Sequence, residues 1–198
     1  MEISNVNVYG LEESILASGY PMLLKTPNAK EFDKQTMKIA LLDDENKHII
    51  RAEALAKAPI GSGHNNFLTG IIVQFDLEMP QYFWAEWQRY HFQQIVSSTS
   101  KMHKLLKADI AKMCVEGTDE RVIAIAEEYV DRYNKGECDF DTVLANVPMG
   151  YQLTARISTN YQQIKTMVSQ RKNHRLKAWN KVFMDFVKKL PMAEEFLL

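Results

Sequence analysis

Glu86-Trp87-Gln88-Arg89-Tyr90-His91-Phe92-Gln93-Gln94-Ile95-Val96-Ser97-Ser98-Thr99-Ser100-Lys101-Met102-His103 is the stretch around which the rest of the chain is organised. Arg89, His91, Lys101 and His103 flank four consecutive hydroxyl residues, Ser97 to Ser100. Hydroxyls, free backbone N–H groups and a following cation are the groups that hold a phosphate. The same run also reads as a solvated Ser/Thr turn, with Ser100 as N-cap of a helix starting near Met102. Residue types alone leave both readings open.

Working outward, Gln81–Phe92 is aromatic and helical, with Tyr82, Phe83, Trp84, Trp87, Tyr90 and Phe92. That is more large apolar surface than one helix face buries within a subunit, which predicts a homo-oligomer. Leu68–Leu77, rich in β-branched residues and followed by Pro80, is the clearest strand. His64-Asn65-Asn66 stands directly behind the turn Gly61-Ser62-Gly63. Toward the N-terminus, Ser4–Val8 reads as a short strand; Leu11–Ala17, Ala29–Leu42 and Glu45–Lys57 read as helices. Beyond the hydroxyl run, Met102–Cys114 is expected to be one helix. Glu120–Tyr133 follows, capped by Thr118-Asp119, and then a short helix over Phe140–Asn146. Tyr151–Ser158 alternates like a sheet strand, and Ser158 or Thr159 would cap a helix over Asn160–Gln170. A continuous apolar stripe from Leu176 to Leu190 predicts a last long helix, broken by Pro191, before a final turn over Ala193–Leu198. With no repeats, linker or low-complexity segment, the chain reads as one α+β domain over residues 1–198.

Composition narrows the function classes. A chain of 198 residues, 46% hydrophobic and 25% charged, can build a sizeable core. Its net charge of −1 gives no general case for nucleic acid or an anionic membrane, so an anion site must be local. Cys114 and Cys138 form neither a disulfide framework nor a metal-ligand spacing. No secretory leader and no membrane span is expected, so a reducing, cytoplasmic setting is expected. There is no dinucleotide-binding glycine fingerprint, no phosphate-binding NTPase loop, no nucleophile elbow and no zinc helix. The five histidines are scattered, neither cysteine has a histidine near it in sequence, and no catalytic residue is singled out.

The central stretch resembles the signature of the flavin-dependent thymidylate synthases, Arg-His-Arg-x-x-Ser-x-Asn-Glu-x-Ser-x-Arg-Tyr, laid without gaps on Arg89 to Met102. His64 stands 25 residues ahead of Arg89, where that family places a flavin-contacting histidine, and an apolar strand follows it. Downstream, Pro148, the strand to Ser158, Asn160-Tyr161-Gln162, Arg171 and the closing Phe186–Pro191 are similar to the family's pattern. The resemblance covers about residues 60–198 and is looser before that.

The resemblance implies an antiparallel sheet packed with long helices. It also implies FAD as cofactor, NADPH and methylenetetrahydrofolate as co-substrates, and methylation of a dUMP-like pyrimidine deoxynucleotide. The assembly implied is a homotetramer with sites shared between subunits. On the flavin side it points to His64, Asn66, Arg89, Tyr90, His91, Arg171 and His174. On the nucleotide side it points to Glu86, Ser97, Ser98, Thr99, Ser100, Lys101, Arg156 and Arg175. The chain departs from the signature where Tyr90, His91 and Ser97 replace a histidine, an arginine and a glutamate. Lys101 replaces the last arginine, keeping a cation without a bidentate fork. These departures leave open a non-catalytic descendant that binds a nucleotide or a partner. An unrelated α+β protein is the third reading.

Overall fold

The computed structural model describes residues 1–40 and 45–198. Four strands, β1 (Glu2–Tyr9), β2 (Ile72–Pro80), β3 (Gln93–Ser98) and β4 (Gln152–Asn160), form one antiparallel sheet in the order β1-β2-β4-β3. The helices are α1 (Leu11–Ala17), α2 (Ala29–Ala40), α3 (Lys47–Ala56), α4 (Gln81–Trp87), α5 (Lys101–Lys104), α6 (Ile110–Met113), α7 (Glu120–Asn134), α8 (Phe140–Ala145), α9 (Tyr161–Arg171), α10 (Met184–Lys188) and α11 (Ala193–Phe196). The α+β expectation stands. Leu41 and Leu42, the end of the helix expected from Ala29, lie outside the described residues.

Chain contacts divide the protein into two compact units. The first holds residues 3–75, 92–94 and 157–198. Its core gathers Ile15 and Leu16 of α1, Ile49, Ala52 and Ala56 of α3, Val73 and Phe75 of β2, and Ile164 and Met167 of α9. Most of the predicted apolar stripe is buried, through Trp179, Phe183, Phe186, Val187 and Leu190, while Leu176 is half-buried and Val182 exposed. The helix carrying it is not a single α-helix. Ala178–Phe183 winds as a π-helical segment before α10, which widens the turn carrying Trp179 and Phe183. The rings form a chain, with centroids 5.5 Å apart for Trp179–Phe183, 6.0 Å for Phe183–Phe186 and 4.9 Å for Phe186–Phe75.

Polar side chains of α9 tie this unit together. Lys165 Nζ donates to the backbone carbonyls of Ala56, at the end of α3, and Phe196, at the end of α11. Both are helix C-termini, whose carbonyls lack partners within their own helix and favour a cation. Burial holds the Lys165 pKa below the usual lysine value. Tyr161 donates its N–H to Ile71 O at 3.0 Å and its hydroxyl to Pro191 O at 2.6 Å, and burial pushes its phenol well up.

The second unit holds residues 1–2, 76–91 and 95–156. Leu105, Ile110, Ala126, Val143 and Tyr151 form its helical core, while α4 buries Phe83, Trp84 and Trp87. Phe83, Trp84 and Trp87 are covered within the chain, while Tyr82 and Phe92 of the same aromatic run stay exposed. The helix also stops at Trp87 instead of Phe92, because Tyr90 N–H turns back to Trp87 O at 3.1 Å and brings the Tyr90 ring edge-on to Trp87.

A second correction concerns Met102–Cys114, which is broken into α5, a 3-10 turn at Leu105–Lys107, and α6. The break has a local cause. Asp109 adopts an extended conformation and its carboxylate accepts the Lys112 N–H at 3.1 Å, restarting the chain as a new helix. The expected strand at Leu68 begins instead at Ile72, after a 3-10 turn over Asn66–Gly70. The helix expected from Asn160 starts at Tyr161, with Asn160 itself as the cap, its Oδ1 accepting Gln163 N–H at 2.9 Å.

Two measurements test these links. Lys165→Met should lower the free energy of unfolding by roughly 1–3 kcal/mol in urea titrations, because it strips the donor from two carbonyls. Asp119 and Asp139 cap α7 and α8. Hydrogen bonds from the side chains of Arg121 and Thr142, and then from backbone N–H groups, hold both carboxyls below the usual range. A lowered folded pKa stabilises above the ordinary carboxylate value and is lost as pH falls through the lowered one. Far-ultraviolet ellipticity should therefore hold down to about pH 4 and decline below it. Asp119→Asn plus Asp139→Asn, which keep a cap without a titrating group, should flatten that decline.

Candidate functional site

In the second unit, two-residue alternation sorts β2 and β4 into faces. Leu77, Met79 and Ala155 are buried, while Asp76, Glu78, Thr154 and Arg156 are half-exposed between them. The half-exposed set bonds across the strands. Arg156 Nη1 lies 3.1 Å from Asp76 Oδ1, and Thr154 Oγ1 donates to Glu78 Oε2 at 2.9 Å. Thr99 extends the pairing: its N–H donates to Thr154 O at 2.8 Å, and its hydroxyl oxygen accepts Thr154 N–H at 3.1 Å.

The hydroxyl run therefore behaves differently from its sequence reading. Ser97 and Ser98 are exposed strand residues of β3, and the Thr99 hydroxyl is engaged in strand pairing. Ser100 occupies the N-cap position of α5 without a side-chain capping bond, and α5 is only four residues long. A helix that short adds little dipole to an anion site. What remains is Lys101. Its Nζ donates to Gln81 Oε1, a neutral amide that is held in turn by Gln81 Nε2 donating to Pro148 O at 2.8 Å. Burial lowers the Lys101 pKa, and no carboxylate of the described residues forms an ion pair with it. A half-buried cation facing only a neutral amide has room in its electrostatics for a bound anion.

The same unit places Glu86 half-buried on α4, Arg89 and His91 exposed after it, and Tyr90 in the core. A groove of about 330 Å³ runs along α4 past Gln81, Trp84 and Gln88 to Ile95 and Ser98 of β3.

In the first unit, Arg171 and His174 come together at the end of α9 around Trp179. The Arg171 guanidinium lies 4.5 Å from the Trp179 ring centroid, and the His174 ring meets the Trp179 ring at 6.4 Å, edge-on. His174 Nδ1 accepts Leu176 N–H at 3.2 Å, which leaves its proton on Nε2, and Asn180 Nδ2 donates to His174 O at 2.8 Å. Arg175 beside them is exposed. His64 and Asn66 are exposed in the glycine turn, where Gly61 and Gly63 have φ of 89° and 81°. The residue of that triplet which does structural work is Asn65, 1% exposed, donating to Ala58 O at 2.9 Å.

Sequence reasoning missed Asp76 and Glu78, although the alternation of β2 already put both on one face. It also missed Lys101's amide partner, which comes from 20 positions earlier in the chain. Among the described residues no cluster of His, Cys, Asp and Glu suits a metal ion, and no helix is long and apolar enough to cross a membrane.

The chain is similar in fold to flavin-dependent thymidylate synthase ThyX from Helicobacter pylori complexed with FAD and dUMP. The TM-score is 0.71 with 14% sequence identity, over 100% of this chain and 97% of that one. A second structure of Helicobacter pylori ThyX with FAD and dUMP gives the same TM-score and identity over 96% of its length. No family model matches the chain, and no curated protein matches it in sequence. The likeness establishes a ThyX-like fold.

The cross-strand pair gives a direct test. Asp76→Ala and Arg156→Ala should each destabilise, and the double variant should fall short of their sum by about 0.5–1 kcal/mol in a double-mutant cycle.

Proposed function

We propose that the protein is a ThyX-like flavoprotein that binds FAD and a pyrimidine deoxynucleotide such as dUMP and transfers a one-carbon group to the pyrimidine. The observation that carries this reading is the fold likeness, complete over the chain, to an enzyme complexed with FAD and dUMP. NADPH and methylenetetrahydrofolate are the co-substrates this reading requires, and bound FAD would supply the redox chemistry.

The chain's own groups suit these ligands. Lys101, half-buried and without a carboxylate, is assigned to the nucleotide phosphate, with Ser97 and Ser98 beside it on the exposed strand. Arg171 and the Nε2–H of His174 offer a cation and a donor to the flavin cofactor, on a platform made by Trp179. Arg89, His91, His64 and Asn66 are exposed. The reading places the protein in the cytoplasm as a homo-oligomer, with a tetramer expected. Exposed Phe92, Ile95 and Val96, at 72%, 40% and 59% exposure, supply an apolar surface for subunit contact.

Two features favour a second reading, a nucleotide-binding descendant without catalysis. Arg156 is already neutralised by Asp76, and Tyr90, where the signature has a histidine, is buried in the core.

The purified protein should show the visible absorbance of a flavin, or acquire it on incubation with FAD. Calorimetric titration should show dUMP binding tighter than uridine. Lys101→Met should weaken dUMP by about 1.5–3 kcal/mol, a charged hydrogen bond's worth, and leave uridine nearly unchanged. A colourless protein that binds dUMP through Lys101 would leave the second reading standing. Absence of both ligands would end both.

A further inference from the structure

In the first unit, a cavity of about 500 Å³ opens between the end of α1, the segment 19–28, the first turns of α2 and the start of α3. That is the size of a pocket for a small metabolite. Its charged lining is unbalanced: among the described residues Lys25, Lys47 and Arg51 face it against one carboxylate, Glu31.

The partners of these groups decide what the cleft lacks. Arg51 is spent on structure. Its Nη2 donates to Ile15 O at 3.1 Å and Leu16 O at 3.3 Å, and its Nε to Ser18 Oγ at 3.1 Å, closing the end of α1. The guanidinium sits where Gly19 has no side chain; a Cβ there would lie 2.6 Å from Arg51 Cζ. Glu31 is drawn to the first turn of α2, where its carboxylate accepts Asn28 N–H at 3.2 Å while Asn28 Oδ1 accepts Glu31 N–H at 3.1 Å. The side chains of Lys25 and Lys47 make no hydrogen bond or ion pair with any described residue. His48 completes the set. Its Nδ1 lies 3.2 Å from Arg51 Nη2, and a guanidinium can only donate, so Nδ1 accepts and the proton resides on Nε2. A smaller cavity sharing Lys47 and His48 adds Lys38.

We propose that this cleft binds a small phosphomonoester, its phosphate held by Lys25, Lys47 and the Nε2–H of His48 and its flat or apolar body lying against Tyr20, Leu23 and Pro27. Two ammonium groups without a partner among the described residues match a dianion, and lysine serves phosphate as a point charge without needing the bidentate geometry that Arg51 has spent elsewhere. The apolar wall distinguishes the ligand from a bare inorganic anion. The site is separate from the assignment of Lys101 and does not rest on it.

Phenyl phosphate is the minimal probe, titrated into the full chain by calorimetry, with inorganic phosphate, phenol and benzoate as its separated parts. Phenyl phosphate should bind tightest, weaken as salt is raised, and shift the His48 ring resonances in nuclear magnetic resonance spectra. Lys25→Ala combined with Lys47→Ala should weaken it more than tenfold while leaving the unfolding midpoint in urea unchanged, since both side chains are exposed. Lys101→Met should bind it as the wild type does, which separates this cleft from the proposed nucleotide site. Unchanged affinity in the double lysine variant, benzoate binding as tightly as phenyl phosphate, or no binding at millimolar concentration would each overturn the proposal.

Discussion

Buried backbone groups must find partners, and in the first unit the first turns of α9 supply many of them. Tyr161 reaches Ile71 and Pro191, Gln163 Oε1 accepts Phe92 N–H at 3.1 Å, and Lys165 reaches Ala56 and Phe196. These bonds reach the start of β2, the approach to β3, the end of α3 and the C-terminal helix, all from one short helix. The arrangement explains why Gln163, an ordinary surface residue by type, is only 5% exposed. The dependence also runs the other way. A lysine held below its usual pKa by burial is tolerable only because two helix C-termini face it with unpaired carbonyls.

A second constraint shapes the candidate site. β2 and β4 must bury every other residue, so their intervening residues share one half-exposed face, and that face carries charge: Asp76 and Glu78 against Thr154 and Arg156. Opposite charges directly across strands neutralise each other. The result separates cations of similar appearance. Arg156 is compensated by the sheet, Arg51 by the end of α1 and Arg171 by an aromatic face, whereas among the described residues Lys101 bonds only to an amide and the side chains of Lys25 and Lys47 form no hydrogen bond or ion pair. A positive charge that the fold does not compensate is the kind a ligand can use. Counting basic residues in a chain of net charge −1 would not reveal it.

Much of the architecture was legible from local pattern. Leu11–Ala17 is a helix with the expected bounds, Asp119 caps α7 as expected, and most of the stripe from Trp179 to Leu190 is buried. These succeed because capping, glycine stops and apolar periodicity act within a few residues. Failures cluster where a distant segment competes for the backbone. Gln93–Ser98 lies between the helix expected to end at Phe92 and the Ser/Thr turn, but Ile95 and Val96 suit a strand, and β4 is there to pair with them. Met102–Cys114 fails for a local reason instead: despite its helical stripe, Asp109 restarts the chain as a separate helix.

For this protein, the sequence by itself determined that the chain is α+β, where α1, α7, α8 and α9 lie, and that any anion site would have to be local. Each of those follows from composition or from short-range spacing. Only the tertiary structure decided which cations are spent and which are left. That choice depends on amides, carbonyls and carboxylates brought from 20 to more than 100 positions away, as Lys101 with Gln81 and Lys165 with Ala56 show. Electrostatic compensation acts through space, over a few ångströms, and chain spacing carries no record of it.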